Sequence, residues 1–124
     1  MAVGKITWTD LTVPNAEEVR DFYARVVGWE VDEVDMGGYS DYMMLVPGTE
    51  DGAAGICFSK GSNANLPAQW LIYITVADID VSVAACLANG GSVLDGPRPM
   101  GDAQFACIQD PAGAVCALYQ PAAG

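Results

Sequence analysis

One carboxylate and two phenols are the groups of this sequence best placed to do chemistry. Asp10 stands two residues after Trp8 in an alternating segment, so the two side chains share one face of a predicted strand. Tyr73 and Tyr119 fall in two later apolar segments. Aromatic rings stack on flat ligands or hold a cation, and a carboxylate pairs with that cation or acts as a general base. These residue types favour a flat apolar ligand with a polar or cationic group.

Histidine is absent from all 124 residues. This excludes Ser-His-Asp and Cys-His catalysis and removes the commonest metal ligand. The four cysteines form no C-x-x-C pair, and each stands among apolar neighbours. We therefore expect Cys57, Cys86, Cys107 and Cys116 to fill the core as small apolar residues, without disulfides.

The charge balance limits the possible partners. Five basic residues stand against 16 acidic ones, which gives a net charge of −11. Nucleic-acid phosphates and anionic membranes are disfavoured partners, whereas a cationic small molecule is favoured. No apolar run approaches the ~20 residues of a membrane span, and the first residues do not resemble a secretory signal. We expect one soluble, cytoplasmic domain over residues 1–124.

The order of turn and cap residues predicts two similar units. Asn15 is a candidate helix N-cap with Glu18 three residues later, and Gly28 is a candidate helix stop. Asp78 and the Gly90-Gly91 pair repeat this arrangement in the second half. The predicted strands are 4–13, 29–31, 42–46 and 53–58 in the first half, and 70–76, 92–94, 105–109 and 114–119 in the second.

An offset comparison supports this repeat. Shifting by 63 residues aligns the strand residue Leu11 with Ile74, and also Tyr42 with Phe105. A shift of 61 aligns Ile56 with Ala117, and Phe58 with Tyr119. We predict an α+β fold of two tandem β-α-β-β-β units, about 4–60 and 69–120. They would pair into a curved eight-stranded mixed sheet around a cleft, with the helices outside.

Several segments together resemble one known family. They are Phe22-Tyr23 followed by Gly28-Trp-Glu-Val, the segment Trp70-Leu-Ile-Tyr-Ile-Thr-Val-Ala-Asp-Ile-Asp, the Gly90-Gly91 pair, and Asp110-Pro-Ala-Gly-Ala. In order and spacing the chain resembles the vicinal oxygen chelate superfamily, which includes glyoxalase I, bleomycin-resistance proteins and extradiol dioxygenases. It looks most like the bacterial glyoxalase-like branch. The resemblance implies the same paired fold and a homodimer.

The resemblance also implies where a metal would lie. In metal-dependent members, His and Glu side chains from the first and fourth strands of each unit hold a divalent ion. By register, the matching positions are Trp8, Ile56, Leu71 and Ala117, and none of these side chains ligates a metal. We therefore expect neither a metal nor another cofactor.

The residues that share parity with these four positions define the predicted ligand site. The predicted site consists of Trp8, Asp10, Ile56, Phe58, Leu71, Tyr73, Ala117 and Tyr119. Asp10 is its candidate catalytic residue, and Trp8 either contacts the ligand or fills the space a metal occupies elsewhere. Arg98, in the predicted loop 96–101, is expected to gate the cleft or, more simply, to be a surface charge.

Three functions remain open from the sequence. The first is metal-free binding, or sequestration, of a small molecule, as in the bleomycin-resistance proteins that the chain resembles. The second is a lyase, isomerase or dioxygenase, either metal-dependent or using Asp10 or a tyrosine in acid-base catalysis. The third is a non-catalytic interaction module.

Overall fold

The computed structural model describes residues 2–123 as two helices and eight strands with one short 3-10 turn. In chain order they are β1 (Ile6–Val13), α1 (Ala16–Val27), β2 (Glu30–Asp35), β3 (Ser40–Leu45), β4 (Gly52–Phe58), the 3-10 turn (Gly61–Asn63), β5 (Trp70–Thr75), α2 (Ile79–Ala88), β6 (Ser92–Met100), β7 (Ala103–Gln109) and β8 (Val115–Gln120). This confirms the prediction of an α+β fold with two tandem β-α-β-β-β units and eight strands of mixed direction.

Two compact units divide the chain. Thr9–Trp70 forms the first, which we call the α1 unit, and the residues before Thr9 together with those after Trp70 form the α2 unit. The single-domain assignment remains a prediction. None of the helices in the described part of the chain is long and apolar enough to cross a membrane.

The two units have the same strand arrangement. The order is β2-β3-β4-β1 in the α1 unit and β5-β8-β7-β6 in the α2 unit. The two outer strand pairs of each unit are antiparallel, whereas β1 runs parallel to β4 and β5 runs parallel to β8. A parallel pair needs a long connection, and each unit supplies a helix and two strands between the paired strands.

The helices begin in different ways. The Asp78 side chain accepts hydrogen bonds from the backbone N–H groups of Asp80 and Val81, which is the predicted N-cap of α2. Asn15 is the N-cap residue of α1, as predicted, but its side chain makes no hydrogen bond to the helix backbone; its amide instead donates to a Glu18 carboxylate oxygen at 2.7 Å. Helix α1 ends as predicted at Gly28, whose φ of +86° favours glycine.

Strand β6 extends further than the sequence predicted. The segment expected to be the loop 96–101 largely continues the strand to Met100, with register shifts on both sides of Asp95. As the outermost strand of its unit, β6 tolerates Pro97 and Pro99, because an edge strand needs fewer N–H donors. This places Arg98 in a strand rather than in a loop.

Each helix covers one side of its sheet. In the α1 unit, Ala16 of α1 packs with Leu11, Tyr42 and Ile56. In the α2 unit, Ile79 of α2 packs with Ala106 and Leu118. All four cysteines are free thiols, as the sequence indicated. The opposite side of each sheet is where functional side chains can collect.

Candidate functional site

The sheet of the α2 unit has one face against α2 and another turned away from it. Ile74, Ala106 and Leu118 lie on the helix side in adjacent register. Side chains alternate along a strand, so the residues between these point to the opposite face. That face, which we call the aromatic face, carries Leu71, Tyr73, Thr75, Asp95, Arg98, Phe105, Cys107, Ala117 and Tyr119.

Strand register arranges this face in two rows across four strands. The first row is Thr75, Tyr119, Phe105 and Arg98, and the second is Tyr73, Ala117, Cys107 and Asp95. Neighbouring strands lie about 4.8 Å apart, so each row extends about 14 Å.

Three aromatic rings form the centre of the aromatic face. The Tyr73 ring centroid lies 5.7 Å from that of Phe105 and 6.4 Å from that of Tyr119, both in tilted geometry. Phe105 is completely buried and Tyr73 is 4% exposed, whereas Tyr119 is half-buried. Tyr119 is therefore the ring a ligand reaches most easily. As predicted, Leu71, Tyr73, Ala117 and Tyr119 share one face; their contact with a ligand stays a prediction.

A partly buried ion pair lies at one end of the first row. The Arg98 Nε–H donates to Asp95 at 3.0 Å, and the two side chains are only 19% and 13% exposed. The guanidinium carbon lies 4.6 Å from the Phe105 ring centroid. Arg98 is thus not the surface charge expected from the sequence, because β6 turns it onto the aromatic face.

The α1 unit presents a different face opposite its helix. It carries Asp10, Thr12, Asp41 and Cys57, together with Met43 and Gly55, and we call it the carboxylate face. Asp41 is buried and accepts a hydrogen bond from the Phe58 backbone N–H at 2.9 Å. Burial first, and then the charges of Asp10 and Asp41, raise the pKa of the Cys57 thiol. A thiol held protonated in this way is a poor nucleophile and a poor metal ligand.

Ile56 and Phe58 do not share a face with Asp10, contrary to the sequence prediction. Ile56 is completely buried beside Leu11 on the α1 side, and Phe58 packs against the same core. The physical reason is a slip of one residue in the offset, which exchanges the two faces of a strand. By position, Ile56 corresponds to Leu118, not Ala117.

Phe58 instead belongs to a cation-bearing aromatic group at the edge of that core. Its ring contacts Tyr39 at 5.8 Å and Tyr42 at 6.3 Å between centroids. The Lys60 ammonium lies 4.8 Å from the Phe58 ring, and the Arg20 guanidinium lies 4.7 Å from the Tyr42 ring. Basic groups of this chain therefore already occupy these rings. Trp8, the remaining predicted site residue, is half-buried in the α2 unit.

Sequence reasoning left five residues of the aromatic face out of the predicted ligand site, namely Thr75, Asp95, Arg98, Phe105 and Cys107. Phe105 could have been found from its alternation with Ala106 in a strand beside Tyr119. Asp95 and Arg98 gave no such signal, because the prolines around them indicated a loop.

The order of elements in this chain is shared with known proteins. Residues 5–118 match the profile of the Glyoxalase/Bleomycin resistance protein/Dioxygenase superfamily. The chain belongs to this superfamily. The resemblance seen in the sequence is thereby confirmed, and with it the fold that the resemblance implied.

Curated relatives in the glyoxalase superfamily come from mycobacteria. "Putative glyoxylase CFP32" of Mycobacterium bovis and its namesake in Mycobacterium tuberculosis are each 32% identical over 119 residues. The match covers 94% of this chain and 46% of each relative, so the chain spans about half the length of these proteins.

Solved structures with the same fold include methylmalonyl-CoA epimerases. One, in complex with methylmalonyl-CoA and NH4+, is 20% identical, with a TM-score of 0.59 over 98% of this chain and 97% of that one. The epimerase of Mycobacterium tuberculosis is 17% identical, with a TM-score of 0.54 over 99% of this chain and 93% of that one. At this level of identity the likeness establishes the fold alone.

The donor set of this glyoxalase-superfamily chain does not fit the divalent ion of its metal-dependent relatives. The sequence has no histidine, and residues 2–123 hold no group of three or more Cys, Asp or Glu side chains able to surround a metal. The positions Trp8, Leu71 and Ala117 offer no ligand, and neither does Gly55, which takes the place of Ile56 on the carboxylate face.

Proposed function

We propose that this glyoxalase-superfamily protein binds a small planar aromatic molecule on the aromatic face of the α2 unit, without a metal. The observation that carries the proposal is the cluster of Tyr73, Phe105 and Tyr119 rings on the sheet face turned away from α2. A methylmalonyl-CoA epimerase of the same fold has been solved in complex with a small organic molecule, methylmalonyl-CoA. Sequestration of a small molecule is the function this face supports best.

The order of burial among the three rings supports the proposal. Phe105 is completely buried and Tyr73 almost so, whereas Tyr119 is only half-buried. A fixed aromatic base with one accessible ring is a low-entropy platform for stacking. Leu71 and Ala117 lie on the same face, are completely buried, and offer no competing polar group.

The binding proposal is tested by isothermal titration with 2-naphthamide, a neutral planar probe. Replacing the half-buried ring in Tyr119→Leu is expected to weaken binding about two- to twelvefold, because a stacked aromatic pair is worth about 0.5–1.5 kcal/mol. The matched control is Phe22→Leu, which removes an exposed ring from α1 and should leave the affinity unchanged. Equal affinity in the wild-type protein and Tyr119→Leu contradicts the proposal, as does no binding at all.

The metal-free part of the proposal has its own test. Elemental analysis of untagged protein purified without chelators should find less than one zinc, iron, manganese or nickel ion per ten chains. A stoichiometric metal would contradict this part and favour the lyase, isomerase or dioxygenase alternative.

The remaining partner predictions are also part of the proposal. They are a cytoplasmic location, a homodimer, and no nucleic-acid or membrane partner. Sedimentation velocity measures the oligomeric state, with twice the 13.0 kDa chain mass expected. Asp10, which belongs to the α1 unit, stays a predicted ligand contact; if it is one, Asp10→Asn weakens binding of 2-naphthylmethylammonium more than binding of 2-naphthamide.

A further inference from the structure

Arg98 is the only strongly sequestered basic side chain described in the α2 unit. Five basic residues are present in the chain, and Lys5, the other one in this unit, is exposed. The Arg98 guanidinium instead lies against the Phe105 ring and donates through Nε to Asp95. Its side chain is 19% exposed, so most of its hydration is lost.

Stability alone does not explain this ion pair. Removing two charges from water has a large unfavourable free energy, and packed apolar residues of similar size often stabilise a fold equally well. Arg98 and Asp95 stand beside Phe105 and Cys107 in the two rows, so an apolar pair at their positions would continue an apolar surface. A role in ligand binding therefore explains a charged pair at this position better than a contribution to the stability of the fold does.

The position of Arg98 indicates which part of a bound ligand it would contact. The register Arg98–Phe105–Tyr119 places the guanidinium at one end of the row whose other members stack on a planar ligand. A guanidinium carries five N–H donors in one plane, and the Nε–H is directed to Asp95. A planar ligand on Tyr119 would place a substituent at its end beside Arg98.

We infer that the ligand of the aromatic face carries a carboxylate, that Arg98 binds this carboxylate, and that Asp95 orients the guanidinium. The inference rests on the proposed function, because it assigns the substituent of the molecule bound there. A carboxylate matches the planar guanidinium by paired hydrogen bonds. The net charge of −11 repels anions at long range, so a local cation is required to accept one.

This assignment differs from the cationic ligand that composition favoured. The acidic excess is a property of the whole surface, whereas the choice of ligand depends on the charged side chains that contact the ligand. On the aromatic face the one carboxylate, Asp95, is already paired with Arg98. A cationic ligand would have to compete with an intramolecular partner, while an anionic one shares the donors of the guanidinium.

The test compares three probes of one shape by isothermal titration: 2-naphthoate, 2-naphthamide and 2-naphthylmethylammonium. The wild-type protein should bind the carboxylate at least about tenfold more tightly than the amide, as expected for a hydrogen bond to a charged group. Arg98→Met should reduce this preference to less than about twofold. Arg25→Met, which removes an exposed basic residue of α1, is the matched control and should keep the full preference.

Asp95→Asn provides a second variant in case Arg98→Met unfolds. It keeps a side-chain oxygen that can accept from the Arg98 Nε–H and removes only the competing negative charge, so it should tighten 2-naphthoate binding several-fold. The inference is overturned if Arg98→Met keeps the carboxylate preference, or if the ammonium probe binds most tightly to the wild type. Binding of the amide without a carboxylate preference overturns the inference alone, whereas no binding of any probe overturns the proposed function with it.

Discussion

The two units share one arrangement of strands and helix but distribute their aromatic residues in opposite ways. In the α1 unit, Tyr42 and Phe58 pack on the helix side, and the other face carries Asp10, Asp41 and Cys57. In the α2 unit, small and aliphatic residues pack against the helix, and the aromatic rings lie on the face turned away from it.

This difference shows that a repeated topology does not repeat a binding surface. The topology depends on turns, caps and alternation, which both units keep. The chemistry of a face depends on which parity of each strand carries the polar or aromatic residue, and one residue of shift exchanges the two. Among the described residues, clustered aromatic rings lie on the face turned away from the helix in the α2 unit and not in the α1 unit, which supports the proposed position of the ligand.

The largest expected effect comes from removing the central ring of the aromatic face. Phe105→Ala should lower the free energy of unfolding by about 3–5 kcal/mol, because Phe105 is completely buried and contacts the Tyr73 ring and the Arg98 guanidinium. The half-buried Phe58 is the matched residue of the α1 unit, and Phe58→Ala should cost at least about 1 kcal/mol less. Urea denaturation measures both values. An equal or larger loss for Phe58→Ala would reverse the proposed contrast.

A smaller effect is expected from the buried acid of the carboxylate face. Asp41→Ala removes the acceptor of the Phe58 backbone N–H and should lower the free energy of unfolding by about 1–3 kcal/mol. The control Asp32→Ala lies on the exposed strand β2 and should change stability by less than about 0.5 kcal/mol. If Asp41→Ala is as mild as its control, the carboxylate face is not a structural element of the α1 unit.

The smallest effect compares the starts of the two helices. Asp78→Ala removes a side chain that caps two backbone N–H groups, and it should cost about 1 kcal/mol. Asn15→Ala removes only an exposed side-chain contact with Glu18, and it should cost a few tenths of a kcal/mol. Thermal unfolding of both variants gives the comparison. Equal losses of stability would mean that the Asn15 side chain also hydrogen-bonds to the α1 backbone.

The sequence was sufficient to predict the order of elements and the family, for identifiable reasons. Gly28 and Asp78 mark helix ends by their own backbone and side-chain preferences, without any tertiary contact. Tyr73 and Tyr119 were placed on one face correctly, because each stands two residues after a position assigned to that face, Leu71 and Ala117, within one strand. Local chemistry therefore determines the elements and the α2 half of the candidate site.

The remaining errors arose where tertiary pairing decides the outcome. The face of Ile56 depends on its register with Leu11, and no residue near it in sequence encodes that register. Arg98 was assigned to a loop because of Pro97 and Pro99, whose tolerance depends on β6 being an outer strand. Both cases concern strand partners that are distant in sequence.

The central claim is that the ligand binds the aromatic face of the α2 unit and not the carboxylate face of the α1 unit. Chemical-shift mapping by NMR during titration with 2-naphthoate tests it most directly. We predict that the largest amide shifts fall at Tyr73, Arg98, Phe105 and Tyr119 and saturate together. Shifts concentrated at Asp10, Asp41 and Cys57, with those four amides unmoved, would contradict the account.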